Sequence, residues 1–249
     1  MYYHINFNNS NEEIKSSYLK RNENVENIKI IIDHQIESFN GLFRSCKCIK
    51  SIDFKRFNRK DITDQKNMFN NCSSLEKINF CFFITDNVTD MNYMFYNCEK
   101  LVELDLSNFK ADNVTKMSGM FLYCSALEKL NISNFNTNKV TDMSLMFDGC
   151  SSLKELNIFN FNTSNVTNMS FMFCECLSLR ELNLSYFYIN NVANMSYMFY
   201  RCSSLKDLYF PFLCESKDIN FKNMFSGISD ELKNKIISKN HFNIVNAFN

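Results

Sequence analysis

Cysteine poses the first chemical question in this sequence. There are 11 cysteines, and a thiolate is a nucleophile, a soft metal ligand or half of a disulfide. Six of them, Cys72, Cys98, Cys124, Cys150, Cys176 and Cys202, stand 26 residues apart, and Cys46 extends the series backwards. Neighbours in such a column, one coil apart, would come near the separation a disulfide needs. Cys46-x-Cys48 and Cys174-x-Cys176 place two sulfurs close together, but no histidine lies nearby, and one Cys of each pair belongs to the column. The other reading of the column is a small buried hydrophobe repeated in every unit, and that reading is preferred.

The remaining reactive types follow the same logic. Histidine occurs only at His4, His34 and His241, so a Ser-His-Asp or Cys-His site would have to be assembled from the chain ends. Ser-x-x-Lys recurs at Ser74/Lys77, Ser151/Lys154 and Ser203/Lys206, always in the same place in the repeated text. Glycosylation sequons such as Asn87-Val88-Thr89 and Asn113-Val114-Thr115 recur with it, and are read first as turn and capping residues. Phosphate-cradling glycine motifs are absent. The sequence therefore predicts no catalytic residue, no metal and no cofactor.

What positions these residues is an internal repeat. Met-Phe followed three residues later by Cys recurs at Met68-Phe69, Met94-Phe95, Met120-Phe121, Met146-Phe147, Met172-Phe173 and Met198-Phe199. Leu42-Phe43 begins the series, and Met224-Phe225 ends it with Ile228 in place of Cys. Other columns keep the step of 26: Ile36, Ile62, Val88, Val114, Val140, Val166 and Val192; Met91, Met117, Met143, Met169 and Met195; Leu75, Leu101, Leu127, Leu153, Leu179 and Leu205. A Phe closes each unit at 57, 83, 109, 135, 161 and 187.

Within a unit, Val88, Met91, Met94, Phe95 and Cys98 fall at steps of three and four, the stripe of a short helix, with Thr89 (and Thr115, Thr141 and Thr167 in its column) as N-cap. Methionines at this spacing beside Phe are read as core, although a soft-metal or apolar groove uses the same residue types. Leu104 and Leu106 alternate with Glu103, Asp105 and Ser107, a half-buried strand. One unit cannot bury its apolar residues alone, but stacked units can. The predicted fold is an α/β repeat: a solenoid of about eight coils of 26 residues, with a parallel sheet on one face and short helices on the other.

Leu101-x-x-Leu104-x-Leu106 is the leucine-rich repeat core pattern. The whole unit, as in KVTDMSLMFDGCSSLKELNIFNF at 139–161, resembles the BspA-like leucine-rich repeat family over roughly residues 36–228. That resemblance implies a microbial surface or interaction protein.

Residues 1–27 lie outside the repeat and are read as an N-terminal cap or arm; residues 28–228 form the array, beginning near Ile28 and Ile31. Residues 229–249 are read as a capping helix with Ser229 as N-cap, followed by a tail. The termini carry no secretory signal, and no stretch approaches the apolar length of a membrane-spanning helix. Taken as complete, the chain is expected in the cytoplasm; the resemblance implies the cell surface as the alternative.

Lys and Arg total 27, as do Asp and Glu, so no global field favours nucleic acid. The expected partner is a protein. Residues between the buried strand columns must face outwards, and the partner face is assigned to Glu103, Asp105, Asn131, Glu155, Asn157, Phe159, Glu181, Asn183, Asp207 and Tyr209. The alternative is the basic cluster Lys55, Arg56, Arg59 and Lys60, the only strong local charge bias. The functional expectation is a non-catalytic scaffold for protein–protein interaction, with a cell-surface adhesin as the alternative.

Overall fold

The computed structural model describes residues 3–7, 28–32, 37–54, 60–81, 83–211, 219–239 and 247–248. Ile36, Phe57, Asp218, His34, His241 and the basic Lys55, Arg56 and Arg59 lie outside the described residues. The chain divides into two compact units, residues 1–36 and 37–249. In the first, β1 (Tyr3–Phe7) pairs antiparallel with β2 (Ile28–Ile32), Tyr3 opposite Ile32 and Phe7 opposite Ile28. Ile28 and Ile31, read from the sequence as the start of the first coil, belong to this ribbon.

The second unit is the repeat array. Its strands are three residues long: β3 (Ser51–Asp53), β4 (Lys77–Asn79), β5 (Glu103–Asp105), β6 (Lys129–Asn131), β7 (Glu181–Asn183) and β8 (Asp207–Tyr209). They pair in parallel as β3–β4, β5–β6 and β7–β8, always in register, with Leu104 beside Leu130 and Leu182 beside Leu208. The expected continuous sheet is thus realised as three separate pairs, and residues 155–157 form no strand.

Continuity comes from the opposite wall, where the short helices expected from the sequence do not form. Residues 91–101 show what replaces them. The amides of Met91, Tyr93, Phe95 and Asn97 donate to carbonyls of the next coil, at Lys116, Ser118, Met120 and Leu122, over 2.8–3.0 Å. The alternate amides, Met94, Tyr96 and Cys98, donate three residues back within their own coil, to Met91, Tyr93 and Phe95. An α-helix would send every amide four residues back. Here tight turns alternate with an inter-coil ladder, and each amide from Met91 to Cys98 finds a partner. Apolar residues at steps of three and four satisfy this wall as well as a helix, so the sequence pattern was ambiguous.

Two residues per coil adopt positive φ to make the turns. One column is Gly41, Asn67, Tyr93, Gly119, Leu145, Phe171, Tyr197 and Asn223, and the other is Ser45, Asn71, Asn97, Tyr123, Gly149, Glu175, Arg201 and Gly227. Left-handed backbone at Tyr, Phe or Leu costs on the order of 1 kcal/mol each, which the packed wall must offset. The threonines expected as helix caps instead continue the ladder: the amides of Thr89, Thr115, Thr141 and Thr167 donate to the carbonyl of the threonine one coil earlier, and so do their hydroxyls at 3.1–3.4 Å.

The core lies between the two walls. Val88, Met91, Met94, Phe95, Cys98 and Leu101 are fully buried, as are their counterparts in the next three coils. The column from Phe43 through Phe69, Phe95, Phe121, Phe147, Phe173 and Phe199 to Phe225 stacks ring on ring, with centroids 5.3–5.7 Å apart and planes within about 10°. Each buried Phe contributes roughly 1.5–3 kcal/mol from burial alone, and offset stacking adds to it. At the C-terminal end α1 (Asp230–Lys239) begins where Ser229 Oγ accepts the Leu232 amide at 3.2 Å. It buries Leu232 and Ile236, while Lys235 Nζ reaches Asp207 Oδ1 at 3.3 Å. The Ala247 carbonyl accepts the Phe225 amide, and Phe248 extends the ring column at 5.4 Å.

Candidate functional site

The cysteine column is placed by the turn wall. Each thiol donates to the Phe carbonyl of the preceding coil: Cys72 to Phe43, Cys98 to Phe69, Cys124 to Phe95, Cys150 to Phe121, Cys176 to Phe147 and Cys202 to Phe173, over 3.0–3.3 Å. The same carbonyls accept the amide of their own coil's cysteine. A small side chain with one weak donor is what this site holds. Burial pushes the thiols up, to about 12 at Cys72 and Cys202, so the nucleophilic thiolate is suppressed. The ten described cysteines are free thiols, and no group of three or more His, Cys, Asp or Glu among the described residues is arranged to hold a metal.

The sequon asparagines are engaged as well. Asn87, Asn113 and Asn165 donate their side-chain amides to carbonyls of the preceding coil, at Lys60, Asp86 and Asn138, over 2.6–2.8 Å. Glycosylation there would break an inter-coil bond.

On the strand wall, Glu103, Asp105, Asn131, Glu155, Asn157, Phe159, Glu181, Asn183, Asp207 and Tyr209 are all exposed. Phe159 is 63% and Tyr209 47% accessible. Lys129 pairs with Glu103 across neighbouring coils, and Lys154 with Glu128 at 3.1 Å. Such exposed pairs contribute little to stability, but they fix side-chain positions along the face. Glu155, Glu181, Asn157 and Asn183 separate the two aromatics. Of the basic cluster only Lys60 is described, and it is exposed, its carbonyl accepting Asn87.

The sequence reasoning missed two residues beside this face. Tyr186 and Tyr188 are 66% and 59% accessible, and with Phe159 they line a cleft of about 410 Å³. The signal was present in the columns: Tyr186 stands where the three earlier coils carry Asn108, Asn134 and Asn160, and Tyr188 where two carry Asn136 and Asn162.

A second missed feature is Asp148, which is 5% accessible. Its desolvation raises the carboxyl to about 6, partly countered by a hydrogen bond from Cys174, while the nearby Glu175 carboxylate pushes the same way as burial. Asp148 in turn raises the Tyr123 phenol.

No helix among the described residues is long and apolar enough to cross a membrane. No curated protein matches the chain. A family model described as "Mycoplasma protein of unknown function, DUF285" matches residues 37–130 and 123–240, the whole span of the coils. By that match over most of its length, the chain belongs to this repeat-containing family.

Proposed function

We propose that the array is a non-catalytic scaffold of leucine-rich repeat type that binds a protein partner through its exposed strand face. The observation that carries this reading is the outward register of ten residues from Glu103 to Tyr209, every one exposed, with Phe159 and Tyr209 as apolar anchors among carboxylates and amides. Exposed aromatics with a polar surround are the usual centre of an interface. The turn wall is less suited, because its alternate backbone amides are used between coils and the others within their own coil. Catalysis has less support: burial raises the column thiols, and each donates to a backbone carbonyl.

The test is a photo-crosslinking residue placed at Asn183 on the strand face, and separately at Ala126 near the turn wall, in the source cell. The account expects one specific adduct from position 183 and none from position 126. The same adduct from 126 alone would place the partner on the other wall. The resemblance to BspA-like repeats favours a second reading, an adhesin at the cell surface, and accessibility of the full-length chain to an external protease separates the two.

A further inference from the structure

We propose that the cleft between the fifth and sixth coils, formed by Phe159, Tyr186 and Tyr188, is a binding site for a neutral oligosaccharide. The inference rests on this cleft and not on the strand-face reading.

Three departures from the repeat converge there. Phe159 replaces the Ser of neighbouring coils, Ser107, Ser133 and Ser185. Tyr186 ends an asparagine ladder: Asn160 donates to the Ser133 and Phe135 carbonyls at 3.0 and 2.8 Å, and no such side-chain donor reaches the Phe159 carbonyl. Tyr188 ends a second ladder, in which Asn136 donates to Asp112 at 2.7 Å and Asn162 to Asn138 at 2.6 Å. A third ladder continues unbroken through the same coil, with Asn191 donating to the Ser164 carbonyl at 2.6 Å. The chain has therefore lost two inter-coil bonds at one place while gaining three exposed rings. Breaks in an otherwise consistent pattern are expected at functional positions, and clustered exposed aromatics mark binding surfaces.

The cleft is also held in shape. Tyr188 is pinned by Thr163, whose buried hydroxyl accepts the Tyr188 amide at 2.7 Å and donates to its carbonyl at 3.0 Å. Asn183 Oδ1 accepts both the amide and the hydroxyl of Ser185, at 3.0 and 2.7 Å. Phe159, Tyr186 and Tyr188 are all exposed. By contrast Phe171 and Tyr197, on the turn wall, cover each other at 4.6 Å.

The chemistry of the lining selects the ligand. No Asp, Glu, Lys or Arg lines the cleft, which disfavours phosphates and charged peptides. The rings carry the phenol hydroxyls of Tyr186 and Tyr188, while the amides of Asn160 and Asn162 and the hydroxyl of Ser185 already donate within the array. A pyranose has an apolar C–H face that packs on an aromatic ring and a rim of hydroxyls that pairs with phenol hydroxyls, which is the amphipathic complement of Tyr186 and Tyr188 beside Phe159.

The test uses the full chain with maltohexaose, cellohexaose and chitohexaose, read by saturation-transfer NMR and calorimetry. The comparison is the double variant Tyr186→Asn with Tyr188→Asn, which restores the wording of the preceding coil and so keeps the fold. At least one of the three sugars is expected to bind the native chain, and the double variant to weaken it by about tenfold or more, the effect of losing stacked rings. Tyr209→Ala, on the strand face, is expected to leave sugar binding unchanged. Failure of all three sugars to bind, equal binding to the double variant, or tighter binding of a heparin-derived hexasaccharide each overturns the proposal. Phe159 is common to both readings, and the double variant leaves it in place, so the protein-partner reading is tested separately, at Tyr209.

Discussion

The Cys124 thiol donates to the carbonyl oxygen of Phe95, one coil earlier, at 3.1 Å. The bond recurs in six coils, and it links the two columns that dominate the core. The thiol is wholly buried, and desolvation raises it far above its usual range. Cys124→Ala removes both volume and donor, and a loss of about 1–3 kcal/mol is expected in denaturant unfolding. In the folded chain Cys48, which is exposed, is expected to react with a maleimide while Cys98, Cys124, Cys150, Cys176 and Cys202 do not until the chain unfolds. These thiols favour the folded state only while protonated there, so their contribution is intact below the ordinary thiol value. It is lost as pH rises towards about 12, the value at Cys202. Rapid native labelling of Cys124 would contradict the packing.

Gln65 occupies the column held by Met91, Met117, Met143, Met169 and Met195. It is fully buried, and neither its Oε1 nor its Nε2 has a hydrogen-bond partner. A buried amide without partners costs about 1–3 kcal/mol. Gln65→Met, which restores the column, is expected to raise stability by roughly that amount, measured as the shift in denaturation midpoint at constant slope.

Gly149 has φ +71°, and a Cβ there would collide with the ring of Tyr123. Gly149→Ala therefore meets both backbone strain and a clash, and should cost about 2 kcal/mol or more. Adding Tyr123→Ala removes the clash but not the strain, so the double variant should recover part of the loss. Additive losses would show that the ring does not lie over Gly149. Thermal unfolding of the four chains gives the answer.

Asp148 is expected to make stability depend on pH in a defined direction. Its folded value is about 6, against 3.8 for an ordinary aspartate carboxyl. The folded state thus favours the protonated carboxyl, and this favourable contribution, present at low pH, is lost as pH rises through about 6. Tyr123, Cys174 and Glu175 face the group, and none is cationic. Asp148→Asn is expected to leave the melting temperature nearly unchanged at pH 4 and to raise it at pH 8. A lower melting temperature for the variant at pH 8 would mean that the carboxylate is stabilised by a partner.

Much of this architecture was legible because a stacked array repeats its core. The step of 26, the columns Val88, Met91, Met94, Phe95, Cys98 and Leu101, and the outward register from Glu103 to Tyr209 all follow from side-chain burial alone. The wall geometry did not follow, because steps of three and four suit both a helix and a run of tight turns. A decisive signal was nevertheless present. All four glycines of the chain, Gly41, Gly119, Gly149 and Gly227, fall in the two positive-φ columns, which also collect Asn67, Asn71, Asn97 and Asn223. A helix interior would exclude glycine and asparagine from such fixed positions. Tyr186 and Tyr188 were not legible from burial periodicity, because they interrupt polar columns, those of Asn160 and Asn162. The interruption of the sheet at residues 155–157 has no counterpart in the repeat text, since Leu156 and Ile158 match their columns.

Capture of protein from the source cell decides whether the strand face binds a protein partner. The full chain, the variant Phe159→Ala with Tyr209→Ala, and the variant Lys55→Ser, Arg56→Ser, Arg59→Ser and Lys60→Ser are each used to capture protein from the source cell, and the affinity of the captured partner is measured against all three. The account predicts that the aromatic variant loses the partner while the basic-cluster variant retains it. Retention by the aromatic variant together with loss in the basic-cluster variant would contradict the claim and place the site, electrostatic in character, in the first coils.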